Sequence, residues 1–224
     1  MTIQIPKIAI LICFLFVAGP ARIFCQTLDI SSGGQPTISG AQGGSVTGSS
    51  NVLNNLSVTV NFGEVSPANT NSVVRVVVPI AIRSVTSYVV RAQVSGGTNT
   101  NAQAVQRTDI GFGVNNFRAM GSNSRICTLS THNFTTVFNN DPAATFTINA
   151  AGRVAYSSDL AGIANATTIL SGPQLSNGVL VTRAANNGYI FDAILAIVPQ
   201  MYAESNYSAT ITFTIAAGSL TVLC

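Results

Sequence analysis

The sequence predicts an all-β chain folded as a two-sheet β-sandwich, and three observations carry that prediction. Apolar and polar residues alternate with a period of two in several segments, the pattern of half-buried strands. Turn-forming residues recur between those segments, and almost no stretch shows the helical period. Charged residues are only 8% of the 224, whereas Ser, Thr, Asn and Gly abound. Uncharged polar residues between Val, Ile and Phe suit strands whose outer face is wetted by hydroxyls and amides.

At the N-terminus, Lys7 precedes an apolar run of 12 residues, Ile8–Gly19, which Pro20 breaks. A membrane-spanning helix needs roughly 20 apolar residues and a signal core about 7–15. Residues 1–25 therefore read as a cleavable secretory signal, cut between Cys25 and Gln26. The alternative is a lipid anchor at Cys25, but Arg22-Ile23-Phe24 lacks the small residues that such a site prefers. Residues 26–53 follow as a Gly/Ser-rich leader, with short strand-like pieces at Thr27–Ile30 and Thr37–Ser39. Ordering so many glycines loses much backbone entropy and returns little apolar burial.

The sandwich domain is expected over 54–224. Leu56, Val58, Val60 and Phe62 share one strand face; Val74, Val76, Val78, Ile80 and Ile82 share the next. Pro79 lacks an N–H, so that strand is expected at an edge or bulged there. Tyr88, Val90, Ala92 and Val94 form a third face. Less regular strands are expected at Asp109–Phe117 and Cys127–Val137. A hairpin is expected about Ala151-Gly152, and one helical turn in Ser158–Ala164. A second hairpin would join Gly178–Arg183 to Tyr189–Val198 through Asn186-Asn187-Gly188. The clearest strand is Tyr207–Ala216, and Ser219–Cys224 could add another.

Removing 25 residues from 224 leaves 199, enough for one sandwich core. Lys7 and Arg22 leave with the signal, so the net charge falls from +3 to +1. The remaining arginines are scattered, which excludes the clustered basic face of a nucleic-acid binder. Of four cysteines, Cys127 and Cys224 remain. In an exported chain they are expected to form one disulfide, the alternative being two free thiols.

Catalytic signals are missing. His132 is the only histidine and stands in a loop-like Ser-Thr-His-Asn context without a nucleophile elbow, which reads as a surface position. The seven acids are never closer than 12 positions, so no local carboxylate cluster exists. Asp192 is the one acid placed to enter a cleft, and its plainer reading is an outward side chain on a wetted face. Two cysteines and one histidine do not supply a four-ligand metal site. No catalytic residue, metal or cofactor is expected. Asn55, Asn133, Asn165 and Asn206 match the glycosylation pattern, as chance allows in such a composition.

Val58–Pro67 (VTVNFGEVSP) with the valine strand after it, and Ile197-Val198-Pro199 followed by Asn206–Thr214, resemble the two ends of bacterial spore-coat-U-type and fimbrial subunits. The resemblance covers some 50 residues. It implies an immunoglobulin-like sandwich, export to the periplasm, and surface assembly by chaperone and usher through strand donation. Leu28 and Ile30 are then the candidate donor-strand residues. The family's early cysteine is missing, and the leader alternates too briefly for a full donor strand. The leading expectation is a secreted or cell-surface structural or adhesive subunit. It would work by protein–protein contacts, with no nucleic acid and no membrane span. The alternative is a monomeric extracytoplasmic module for a carbohydrate-type ligand, using Tyr and Asn in loops such as Met201–Tyr207.

Overall fold

The computed structural model describes residues 28–40, 43–52, 54–68, 72–120, 132–150, 152–175, 188–203 and 206–219. The expected signal, Cys127 and Cys224 lie outside them. In chain order the first strands are β1 (Leu28–Ser32), β2 (Thr37–Ser39), β3 (Ser45–Val52), β4 (Asn55–Glu64), β5 (Val74–Ser84) and β6 (Tyr88–Gly96). Next come β7 (Gly111–Ala119), β8 (Asn133–Phe134), the helical turn α1 (Pro142–Thr145), β9 (Thr147–Ile148) and β10 (Val154–Ala155). The last are β11 (Thr167–Gly172), β12 (Tyr189–Ile197) and β13 (Asn206–Ala217).

Two antiparallel sheets pack face to face. One runs β1/β2–β5–β12–β7 and the other β3–β4–β13–β6–β11–β8. Alternation in sequence becomes burial in space: the inward residues of β4, β5 and β6 named above join Tyr207, Ala209, Ile211, Phe213 and Ile215 of β13 in one hydrophobic core. Their outward neighbours meet water or each other. Thr59 and Thr210 hydroxyls pair at 2.7 Å, and Ser57 and Thr212 at 3.1 Å. Hydroxyls thus satisfy the outer face of the second sheet where charges are scarce.

The sandwich has rolled connectivity. β4 lies beside β13 and β5 beside β12, while β6 and β7 take the other flanks of β13 and β12. The first long strand thereby pairs with the last, and the second with the second-last. That is the order of a jelly roll. An immunoglobulin domain instead places the consecutive strands A and B, D and E, and F and G side by side. The short link 85–87 sends the chain from β5 directly across to β6 in the facing sheet, where a hairpin would have kept it in one.

Three strands come from the segment expected to be a leader. β1 and β2 form one interrupted edge along β5, and β3 pairs with β4. Backbone pairing organises this segment, because Ile30 is fully buried while Leu28, Ile38 and Val46 pack only partly against the core. Its interruption, 33–36, falls opposite Pro79, whose carbonyl accepts the Gly33 N–H at 2.8 Å. Pro79 therefore sits in a strand with neighbours on both sides, and the bulge lies in the partner.

Other elements differ from expectation. β12 is paired with β5 on one side and β7 on the other over nearly its whole length, and residues 178–183, expected as its hairpin partner, lie outside the described residues. Within Cys127–Val137 the described strand is only β8, after which Thr136–Phe138 turns into a 3-10 helix. Ala144 and Thr145 are helical because Asp141 caps the turn through the Ala143 N–H, with Pro142 in the first position. The turn at Ser158–Ala164 forms as a 3-10 helix, Leu160–Ile163, capped by Asp159.

β12 is also buried on both faces: Phe191, Ala193 and Leu195 point into the core, while Asp192, Ile194 and Ala196 are covered from outside. Asn116 and Arg118 cover Asp192; over Ile194 and Ala196 the cover is the segment that carries Asn140, Pro142 and Tyr156, held by Arg75 bonded to Asp141 at 2.7 Å. It approaches closely because Gly111 and Gly113 present no side chain. A Cβ at Gly113 would lie 2.3 Å from the Asn140 carbonyl oxygen. Gly113→Ala should therefore lift this segment and lower stability by about 1–3 kcal/mol. Urea unfolding checks this, and an unchanged midpoint would show that the cover gives way freely.

Candidate functional site

Two regions of the sandwich carry features beyond packing. The first is the open side where β1/β2 and β3 are the neighbouring edges of the two sheets. Leu28 and Ile30 lie there, opposite Ser84 and Ile82 of β5. Ile30 is wholly inside its own chain's core and Leu28 half-buried. Between them Asp29 faces Arg83 in direct register, with Nη1 and Oδ2 3.0 Å apart and both side chains almost completely buried. Beside this strand a cleft of about 270 Å³ opens at the interruption. Ser32, Gln35 and Pro36 form its rim, and the core residues Leu56, Val58 and Val78 reach its floor. The chain then crosses from β2 to β3 with Gly40 and Gly43 both at positive φ.

The second region is one end of the sandwich, built by the β6–β7 connection, the β9–β10 turn and the β12–β13 connection. Asn99, Thr100, Gln106, Thr108, Asp109, Asn149 and Arg153 line a concavity of about 450 Å³. A neighbouring one of about 300 Å³ shares Arg153 and adds Gln103, Gln200 and Tyr202. Asp109 Oδ2 accepts the Gln106 N–H at 2.8 Å, and Oδ1 meets Arg153 Nη2 at 3.5 Å. Burial raises the Tyr202 hydroxyl pKa well above its ordinary value, and the Asp109 carboxylate adds to this. Tyr202 therefore stays a neutral phenol at any physiological pH.

The residues singled out in the sequence scatter across the fold. Asp192 is largely buried on the outer face of β12, with Oδ2 accepting from Asn116 at 2.6 Å and Oδ1 from Arg118 at 2.9 Å. It is an outward residue, as its plainer reading held, but one under cover. Asn133, Asn165 and Asn206 are exposed, and Asn55 is half-buried within β4. Of the loop expected to bind a ligand, Met201 is 83% exposed and Tyr202 lines the smaller concavity, while Tyr207 turns into the core. Among the described residues no group of three His, Cys, Asp or Glu side chains could hold a metal, and no helix is long and apolar enough to cross a membrane.

The loop-end residues were invisible as a group in the sequence, because they come from three connections far apart along the chain. No family model, curated protein or solved structure matches this chain.

His132 is no surface residue. Its ring lies 4.3 Å from Phe117 and 5.0 Å from Tyr189 between centroids, and Nδ1 is 2.8 Å from the Tyr88 hydroxyl. Nε2 is buried without a hydrogen-bond partner among the described residues. Gly172 makes the space, since a Cβ there would lie 2.5 Å from Nδ1. Burial lowers the His132 pKa from 6.5 to about 4, so the ring is neutral in the fold. The folded pKa lies below the unfolded one, so this contribution to stability is complete above pH 6.5 and is lost as pH falls toward 4. Its titratable neighbours, Tyr88 and Tyr189, have raised pKa values and stay protonated throughout. The melting temperature should fall across this window, and His132→Phe should flatten that fall. Equal slopes in both proteins would refute the assignment.

Proposed function

We propose that this chain is an exported, non-enzymatic structural or adhesive subunit that assembles through sheet-edge contacts, with residues 28–39 as the strand passed between copies. The observation that carries the reading is how this segment is held. Its backbone pairs with β5 alone among the described strands, yet it delivers Ile30 into the core. A strand attached along one edge, carrying its own apolar plug and followed by a glycine-rich link, can be contributed by the same chain or by another. Exchange between identical copies conserves every contact and so costs little beyond the linker's rearrangement.

The cleft beside the strand supports the same reading, because the core residues Leu56, Val58 and Val78 line its floor. The expected signal in residues 1–25 fits export to the periplasm or cell surface, and a disulfide between Cys127 and Cys224 suits that compartment. Partners on this reading are further copies of the chain, with an export chaperone and usher shielding the edge until exchange. Three of the carboxylates suit a structural role, since Asp29, Asp141 and Asp192 each face an arginine at 3.0 Å or less.

Ser31 and Ala81 are direct register partners across β1 and β5. In a Cys127→Ser, Cys224→Ser background, one preparation would carry Ser31→Cys and another Ala81→Cys. After mixing and mild oxidation, disulfide-linked dimers containing one of each are expected on a non-reducing gel. If mixing yields none, while a single chain carrying both cysteines closes its own disulfide, the strand stays in its own domain and the assembly reading falls.

A further inference from the structure

The geometry points to a binding site for a neutral saccharide at the loop end, in the concavity between Asn99, Asp109, Asn149 and Arg153. The site stands apart from the strand-exchange edge and does not depend on that reading. Its lining is polar and nearly charge-balanced, with one carboxylate and one guanidinium among amides and hydroxyls. Its volume of about 450 Å³ falls within the range of small-ligand sites.

The hydrogen-bonding groups suit a polyol. Asp109 is anchored through Oδ2 by the Gln106 N–H, while Oδ1 has only a long contact with Arg153 and keeps acceptor capacity. The Arg153 side chain is 55% exposed and carries further N–H donors over the same space. A carboxylate acceptor beside a guanidinium donor matches two adjacent sugar hydroxyls, each of which both donates and accepts. Thr100 and Thr108 add hydroxyls, and Tyr202 in the adjoining depression offers an aromatic surface for the C–H face of a ring. An anion such as a phosphate ester would instead meet the Asp109 carboxylate.

The site is also organised in advance. The Asn149 side chain accepts the Arg153 N–H at 2.9 Å, which fixes the β9–β10 turn. The Gln106 side chain donates to the Asn101 carbonyl at 2.8 Å, and the Ala203 N–H donates to the Gln103 carbonyl at 2.9 Å. The first two bonds stiffen single loops and the third ties the β12–β13 connection to the β6–β7 connection, which reduces the ordering cost of binding.

The test is amide NMR on the mature chain, titrated with glucose, galactose, mannose, cellobiose and maltose, and with glucuronate and inorganic phosphate as charged probes. At least one neutral sugar should shift resonances within 99–109, 149–153 and 200–203 with a dissociation constant of about 0.1–10 mM. Asp109→Asn and Arg153→Gln should each weaken that binding about ten-fold or more. Arg91→Gln, on the exposed face of β6, should leave it unchanged. Arg153→Gln changes a largely exposed side chain, so it keeps the test decisive if Asp109→Asn unfolds. Shifts confined to other regions, a response to the charged probes alone, or no response to any neutral sugar would overturn the proposal.

Discussion

The pairing of residues 28–39 with β5 is the constraint on which the open side of the sandwich depends. It covers the side of β5 that β12 does not, and it places Ile30 in the core and Asp29 against Arg83 at once. Slipping β1 by one residue would exchange those two environments, turning a carboxylate inward and an isoleucine outward. The ion pair enforces the register in the same way. Two charges removed from water are tolerable only when each meets the other in good geometry, so Arg83 disfavours any pairing that withdraws Asp29. Pro79 could not have joined an unbroken ladder on both sides, and the interruption at 33–36 accommodates it.

Much of this fold was legible because burial follows alternation. β4, β5, β6 and β13 show the period of two without interruption, and their inward residues are those the pattern marks. β11 escaped because its register shifts between Thr168 and Leu170, which brings Ile169 and Leu170 together and breaks the period. β3 escaped because Gly48 and its serines dilute the apolar signal to little more than Val46. β12 is legible as a strand but its pairing with β5 and β7 is not, since a strand buried on both faces looks alike whichever strands flank it. Connectivity was the least legible feature. Short links crossing between sheets and links within one sheet use the same turn residues, so the rolled order leaves no local mark.

The candidate sites were legible in proportion to how local they are. Leu28 and Ile30 stand two residues apart, and their alternation could be read directly. The loop-end cluster draws on positions from Asn99 to Tyr202, each an ordinary polar loop residue in its own context. His132 misled because its burial comes from Phe117, Tyr189 and Tyr88, none of them near it in sequence.

The architecture divides its surfaces by use. Part of the outer face of the first sheet, around Ile194 and Ala196, is covered by Asn140, Pro142 and Tyr156, and that of the second is tiled by paired hydroxyls that water wets readily. The edges at β1/β2 and β3, and the loop end, are the two places whose features go beyond this packing. Fold alone does not dictate function, so these two places carry the functional argument. Hydrogen exchange on the intact chain addresses it most directly. If residues 28–39 are an exchangeable strand, their amides should open at a lower free energy than those of β12 and β13, in a step that withdraws Ile30 but leaves β12 and β13 paired. Exchange of all three only through global unfolding would mean that the strand cannot be passed on without loss of the fold, and would contradict the account.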